Sequence, residues 1–286
     1  SFTPNPTLND AKNALDFFTS NKCVMLIAVG GGTAIDVTKY VKLNNPEARL
    51  TAIPTTAGSG SEATRFAVLY EDGRKLSVTD DSMIPNAVLF DPELLRNLPE
   101  YHRKSSALDA LSHSLESFWS VNANDDSRKY SREALASITR ILEHYPESYD
   151  TEAMMKSAYT AGKAINIAQT TAGHAMCYRI TGLFGTAHGH SAAMCNRILF
   201  RWLVGNTRLE VLKDIAESMG CNSPEEAAEK FCGIYSRLGL EIPEASGQDI
   251  EELAESVNPV RLKNFPASLD KETIRDLYRQ ILRVRE

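Results

Sequence analysis

The sequence predicts a small α/β unit over residues 1–93, followed by an all-helical domain over residues 94–286. Short apolar runs rich in strand-forming residues alternate with helical patterns only in the first third of the chain. Beyond that third, apolar residues recur at helical spacing, as in the stripe of Leu135, Ile138 and Leu142. No repeat or long linker separates the two parts.

The α/β unit alternates strand and helix patterns. Its first apolar run predicts a strand buried on both faces, as in a parallel sheet, and the glycines at 30–32 end it before a helical pattern. Asp72-Gly73 is typical of a β-hairpin turn between the third and fourth runs. In the second part, Ser223-Pro224 and Asp270 are predicted helix starts. The predicted strands are 23–29, 50–53, 66–70, 75–79 and 87–90.

Composition excludes several classes of function. The 286 residues carry 31 Lys+Arg against 37 Asp+Glu, for a net charge of −6 with no basic block, so no nucleic-acid partner is expected. The longest apolar stretch, 24–29, is too short to span a membrane, and the start does not resemble a signal peptide. Five cysteines without C-x-x-C spacing argue against disulfides and zinc fingers, and predict a reducing, cytoplasmic setting.

Two loops rich in small residues follow the first two predicted strands. Gly30-Gly31-Gly32-Thr33 lies between a strand and a helix, where glycines and free helix N–H groups suit a phosphate. The turn lacks the G-x-G-x-x-G spacing and fits a structural turn equally well. Residues 54–62 follow the second strand, and ligands of open α/β sheets bind at such strand ends. Together the loops predict a nucleotide crevice, with a flexible surface loop as the alternative for the second.

A candidate metal site begins in the helical part. Asp109 and His113 are spaced i, i+4 inside an apolar segment, so both face one side of a helix and need partners. His174 and His188 suit a helix end and a following loop that converge on that face. One carboxylate and three imidazoles fit a divalent iron, zinc or manganese ion with open positions for a substrate. His190 fits a proton carrier, a partner of a ligand, or a helix cap.

Taken together, these segments resemble the iron-dependent, group III alcohol dehydrogenases. The order and spacing of the motifs agree across essentially the whole chain. The matching segments are 30–39, 54–62, 91–94, 109–116, 173–189 and 258–261.

The resemblance implies a Rossmann-like nucleotide-binding part and an all-α metal-binding domain, in the dehydroquinate synthase-like architecture. It implies hydride transfer between NAD or NADP and a small aldehyde or alcohol, Fe(II) (alternatively Zn or Mn) as the metal, no membrane partner, and a homo-oligomer such as a dimer. The implied metal ligands are Asp109, His113, His174 and His188. The implied cofactor contacts are Gly30, Gly31, Gly32, Thr33, Asp36, Thr55, Thr56, Ser59 and Lys75.

The chain departs from the family near the metal. Tyr178 stands where many members carry another histidine, so Tyr178 and His190 are the candidate proton-relay residues. Residues 173–196, with Arg65, look most like the phosphonoacetaldehyde reductase branch. Arg179 and Arg65 are therefore candidate contacts to an anionic substrate, because guanidinium pairs well with phosphonate oxygens. A surface salt bridge is the alternative for Arg179.

Family members usually carry further residues before the segment that opens this chain. The resemblance therefore implies an N-terminally truncated nucleotide-binding part, and the strand at 24–29 is expected to have an exposed sheet edge or a partner covering it. Two alternatives remain open. A dehydroquinate synthase-like lyase uses zinc with a glutamate in place of the Asp109 pattern, and a remnant of the family could bind metal without catalysis.

Overall fold

The computed structural model describes residues 6–71 and 74–285. The helices are α1 (Leu8–Ser20), α2 (Gly32–Leu43), α3 (Glu100–Trp119), α4 (Asp125–Glu143), α5 (Thr151–Ala168), α6 (Ala172–Phe184), α7 (His188–Asn206), α8 (Val211–Ser218), α9 (Pro224–Arg237), α10 (Gly247–Ser256), α11 (Pro259–Leu262) and α12 (Lys271–Ile281). The strands are β1 (Met25–Gly30), β2 (Arg49–Pro54), β3 (Phe66–Glu71), β4 (Arg74–Thr79), β5 (Ala87–Val88), β6 (Glu244–Ala245) and β7 (Arg283–Val284). Single-turn 3₁₀ helices lie at Ser61–Ala63, Asp81–Met83 and Pro92–Leu95.

The first part of the chain is a parallel sheet with strand order β1-β2-β5. β1 and β2 pair in register from Met25 opposite Arg49 to Gly30 opposite Pro54. The carboxyl ends of the two strands therefore meet at one edge, which sets the glycine turn beside the second loop. The amide of Thr55 donates to the carbonyl of Gly30 at 3.0 Å and joins the two loops directly.

β1 is an edge strand with only one buried face. Leu26 and Ala28 are buried in a small core with residues of α1 and α2, whereas Met25, Ile27 and Val29 are 55%, 58% and 55% exposed. The prediction of burial on both faces is wrong because the two helices contact the same face, and no other described element covers the opposite one. The predicted exposed edge is confirmed, since β2 alone pairs with β1 in the described part of the chain.

The predicted hairpin is present as the antiparallel pair β3-β4, in register from Phe66 opposite Thr79 to the last described pair before the turn. The turn residues Asp72 and Gly73 themselves lie outside the described residues. Ala67 and Leu69 of β3 are fully buried and face α2, so the hairpin packs on the helix that follows the glycine turn.

The second part of the chain is built around α3. This 20-residue helix packs against α4, α5 and α7, and its side chains are buried continuously from Ala107 to Trp119. The predicted all-helical domain also contains one short sheet, formed by the parallel pairing of β6 with β7. A two-residue strand carries too little alternation for sequence periodicity to detect. No helix in the described residues is both long and apolar enough to cross a membrane.

A buried lysine joins the hairpin, the second loop and α2. Lys39 is fully buried, and its Nζ donates to Ser61 Oγ at 2.9 Å, to Thr64 Oγ1 at 3.0 Å and to the carbonyl of Phe66 at 2.8 Å. Asp36 accepts hydrogen bonds from the Ser61 hydroxyl and from the amide of Val68. Burial lowers the pKa of Lys39 to about 8, against the opposing effect of Asp36. The charged pair thus fixes the loop at the strand ends.

We expect Lys39→Met to lower the free energy of unfolding by about 3–5 kcal/mol, because it leaves the buried Asp36 without its cation. The matched control is Lys156→Met, whose side chain is 61% exposed and should change stability by no more than about 0.5 kcal/mol. Urea denaturation measures both. Equal stabilities for the two variants would contradict the role assigned to Lys39.

Candidate active site

The candidate site is centred on Asp109, in the middle of α3. Asp109 and His113 lie one turn apart on the same helix face, with Asp109 Oδ1 and His113 Nε2 3.8 Å apart. Both side chains are almost fully buried because α3 lies inside the helical core. The ring of His113 is oriented by the second loop, since its Nδ1 lies 3.2 Å from the carbonyl oxygen of Gly58.

Two further histidines reach the same face from neighbouring helices. His174 lies in the first turn of α6, and His188 is the first residue of α7. One potential ligand atom from each of Asp109, His174 and His188 lies within 4.8 Å of the others. The ring of His113 stacks on that of His174 with centroids 4.6 Å apart. The structure therefore brings three of the four predicted ligands into one cluster and sets His113 against it.

The cluster leaves two buried polar atoms without a hydrogen bond, although they face each other within ion-pair distance. Asp109 Oδ1 and His174 Nε2 are solvent-inaccessible, make no hydrogen bond, and lie 3.4 Å apart. Buried polar atoms are almost always satisfied, so two orphans facing each other fit a ligand held between them. A carboxylate and imidazoles are the donors that divalent iron or zinc accepts. The residues present therefore fit a metal ion.

The ionisation of Asp109 and His188 suits a metal, whereas Glu116 and Asp109, against the effect of burial, raise the pKa of His174 to about 9, so a metal would have to displace a proton from that ring. Burial opposes the charge of Asp109, but His113, His188 and His174 outweigh it and hold the pKa of the carboxyl well below its usual range. Burial lowers the pKa of His188 to about 3, so its imidazole is neutral at physiological pH. An ionised carboxylate and a neutral imidazole are the forms in which these side chains bind metals.

Glu116 orients His174, and the sequence reasoning missed it. Its carboxylate is fully buried and accepts from His174 Nδ1 at 2.6 Å, from Asn196 Nδ2 at 2.7 Å, and from the amide and hydroxyl of Thr171. With its proton on Nδ1, His174 presents Nε2 to Asp109, an arrangement common in metal sites. The available signal was spacing, because Glu116 lies two turns after Asp109 in an apolar helix.

A glycine allows α7 to approach α3. A Cβ atom at Gly189 would lie 2.2 Å from the carbonyl oxygen of Ser105 and 2.4 Å from Cβ of Asp109. No side chain fits in that space. The position directly after His188 must therefore be glycine for His188 to reach Asp109.

The cluster opens into a cavity of about 750 Å³ that extends to the glycine turn. Of the predicted cofactor contacts, Gly32, Thr33, Asp36, Ser59 and Lys75 line this cavity. The carboxylate of Asp36 is already engaged by Ser61 and Val68. The remaining predicted contacts, Gly30, Gly31, Thr55 and Thr56, lie in the same two loops without lining the cavity.

The two loops touch across the strand ends. A Cβ at Gly31 would lie 3.3 Å from Thr56 Oγ1, and a Cβ at Gly32 would lie 3.0 Å from the side chain of Ser59. Gly31 is the N-cap of α2, so the helix N-terminus and its dipole point into the space between the loops. This is the geometry of a phosphate cradle.

Tyr178 lies between the metal cluster and two cations. Its ring stacks on His188 with centroids 5.6 Å apart and planes 12° from parallel. Lys75 Nζ lies 3.5 Å from the centre of the same ring, and Arg261 Nη1 donates to the Tyr178 hydroxyl at 3.1 Å. Burial raises the pKa of Tyr178 far above its usual range, whereas burial and then Arg261 lower the pKa of Lys75 to about 7. All three residues line the cavity.

Three predicted site residues lie elsewhere. His190 is buried between two tyrosines, with Nε2 2.8 Å from the Tyr235 hydroxyl and Nδ1 3.3 Å from that of Tyr101, and it does not line the cavity. Arg179 pairs with Glu252 at the surface, which is the alternative considered for it. Arg65 pairs with Asp81 at 3.1 Å and is not among the residues that line the cavity.

Sequence comparison assigns the chain to a family. Residues 1–92 match the model for the iron-containing alcohol dehydrogenases, and residues 104–282 match the model for the C-terminal part of the same family. The chain belongs to the iron-containing alcohol dehydrogenase family. It is therefore an oxidoreductase of the alcohol dehydrogenase type, and the α/β part and the helical domain are those of such an enzyme.

Individual relatives agree with this assignment. The long-chain-alcohol dehydrogenase 1 of Geobacillus thermodenitrificans is 30% identical over 96% of this chain and 79% of the relative. The phosphonoacetaldehyde reductase of Streptomyces viridochromogenes is 29% identical over 87% of this chain and 73% of the relative. The crystal structure of a sulfoacetaldehyde reductase from Bifidobacterium kashiwanohense, in complex with NAD+, shares the fold with a TM-score of 0.90 at 23% identity, over 98% of this chain and 82% of that one.

We expect Glu116→Gln to weaken Fe(II) binding by about 10- to 100-fold, because the amide cannot hold His174 in the required tautomer. Anaerobic competition against a fluorescent chelator measures the affinity. The exposed Glu133→Gln on α4 is the control and should bind as the wild type does. Unchanged affinity in Glu116→Gln would show that Glu116 does not orient a metal ligand.

Gly189→Ala should destabilise the chain by about 1–3 kcal/mol and weaken metal binding, because the added methyl forces α7 away from α3. Gly205 lies in the same helix with open space around it, so Gly205→Ala should be neutral or stabilising by up to about 1 kcal/mol. Thermal unfolding with and without Fe(II) compares the two. Equal unfolding temperatures for both variants, with and without Fe(II), would show that α7 does not need a glycine at position 189 to approach α3.

Proposed function

We propose that this chain is a metal- and nicotinamide-dependent aldehyde reductase, also able to oxidise the corresponding alcohol. Asp109, His113, His174 and His188 are assigned as ligands of Fe(II). The observation that carries the proposal is the pair of orphaned atoms, Asp109 Oδ1 and His174 Nε2, buried in a cavity that continues to the glycine turn.

When bound, the metal polarises a carbonyl oxygen as a Lewis acid and the reduced nicotinamide supplies hydride. The chain's own residues would bind the cofactor and hold the metal ligands in position. The N-terminus of α2, with Gly31, Gly32 and Ser59, is assigned to the pyrophosphate of NAD or NADP. His113 and Gly58 would hold the metal cluster at a fixed position relative to that cradle.

Tyr178 is assigned an orienting role rather than proton transfer. Its ring packs on His188, its hydroxyl accepts from Arg261, and its raised pKa makes it a weak acid. His190 is unsuited to a relay, because both of its ring nitrogens face tyrosine hydroxyls away from the cavity. A ribose hydroxyl of the cofactor or a water molecule is therefore the proposed proton donor.

For the substrate we propose a small aldehyde, with phosphonoacetaldehyde, reduced to 2-hydroxyethylphosphonate, as the first to test. The support is the 29% identity with the Streptomyces viridochromogenes reductase, together with the cations that line the cavity. Arg179 no longer supports this choice, because Glu252 occupies its guanidinium.

We expect His188→Ala to lower Fe(II)-dependent oxidation of NADH or NADPH by phosphonoacetaldehyde at least about 10³-fold, since a ligand of the Lewis acid is lost. The exposed His144→Ala should keep wild-type turnover. Full activity of His188→Ala with metal chelated would overturn the metal assignment. An absence of fluorescence change when NADH and NADPH are titrated into the wild type would favour a remnant that binds no cofactor.

A further inference from the structure

Lys75 and Arg261 form an unusual pair inside the cavity. Both are cations, they contact the same Tyr178 ring, and Arg261 contributes to the lowered pKa of Lys75. The neutral Tyr178 and Ser77 hydroxyls accept from the guanidinium of Arg261, at 3.1 and 3.3 Å. Among the described residues, no carboxylate lies within salt-bridge distance of either cation.

Several other arginines of the chain are neutralised by carboxylates. Arg65, Arg179 and Arg275 each pair with an aspartate or glutamate. Bringing two like charges together in a partly buried place is unfavourable unless an anion joins them. An unpaired pair of cations that lines a cavity therefore indicates a ligand with negative charge.

We propose that Lys75 and Arg261 are an anion-binding subsite that selects aldehydes carrying a negatively charged group. This inference rests on the proposed function, because the cavity also contains Asp109, His174 and His188. One aromatic ring, that of Tyr178, separates the cations from His188. A short substrate can therefore place its carbonyl at the metal cluster and its anionic end between the cations.

The chemistry of the pair defines the substrate class. A guanidinium binds two oxygens of one group in a planar fork, and an ammonium adds a compact charge beside it. Phosphonate, sulfonate and carboxylate groups all offer such oxygens. The predicted substrates are thus two- to four-carbon aldehydes ending in one of these groups.

The resemblance assigns Lys75 to the cofactor instead, and the test must separate the two roles. The phosphate cradle is formed by α2 and the second loop, whereas Lys75 and Arg261 belong to β4 and α11. If the pair serves the substrate, its loss changes selectivity among aldehydes. If it serves the cofactor, its loss weakens NADH or NADPH binding for every aldehyde alike.

The first experiment measures kcat/KM of the Fe(II)-loaded enzyme for phosphonoacetaldehyde, sulfoacetaldehyde, succinic semialdehyde and neutral butyraldehyde. We expect Arg261→Gln and Lys75→Gln each to lower the ratio of anionic to neutral kcat/KM by about 10- to 150-fold, the value of a hydrogen bond to a charged group. Arg261→Lys keeps the charge but loses the planar fork. Its ratio of anionic to neutral kcat/KM should lie between those of the two glutamine variants and that of the wild type. Arg201→Gln, at a surface pair with Glu229, is the control.

A second experiment does not depend on turnover. Calorimetric titration of 2-hydroxyethylphosphonate into the metal-loaded protein should show binding that Arg261→Gln weakens by a similar factor. An unchanged selectivity ratio, a ratio that responds to Arg179→Gln but not to Arg261→Gln, or weakened NADH binding as the main effect would each overturn the subsite. If the wild type reduces no aldehyde yet binds the phosphonate through Arg261, the proposed function fails and the subsite stands.

Discussion

The structure depends on placing ionisable side chains inside a helical core. Asp109, His113 and Glu116 lie on one face of α3, where an unpaired charge would be very costly. The carboxylates of Asp109 and Glu116 differ in how many hydrogen bonds they accept. Glu116 accepts five hydrogen bonds from His174, Asn196 and Thr171, whereas Asp109 keeps an oxygen that makes no hydrogen bond. The proposed metal position lies at the carboxylate of Asp109, and Glu116 orients the ring of His174 beside it.

The same constraint couples the two parts of the chain. Lys39 fixes residues 61–66 against α2, and the carbonyl of Gly58, in the same loop, orients the ring of His113. The loop therefore faces the phosphate cradle on one side and the metal cluster on the other. A change in the position of the loop would move both sets of residues.

The sequence predicted those features that are local in the chain. The strand-glycine-helix pattern at residues 23–43, and the i, i+4 spacing of Asp109 and His113, were visible because each falls within one element. Lys75, Tyr178 and Arg261 meet only through tertiary packing, and no local pattern connects them. The position of His190 between two tyrosines also depends on tertiary packing, and residues two apart on a helix point in different directions, so His190 does not share the face of His188. The prediction that the strand at 23–29 is buried on both faces is wrong, because an apolar run does not show how many layers pack on it.

The most direct test of this account is the position of the metal. In crystals of the Fe(II)-loaded protein, anomalous difference density at the iron edge should show one strong peak, about 2.0–2.3 Å from ligand atoms of Asp109, His113, His174 and His188. We predict that peak between Asp109 Oδ1 and His174 Nε2, the two buried atoms without a hydrogen bond. A loaded crystal with no peak there, or with its strongest peak at other residues, would contradict it.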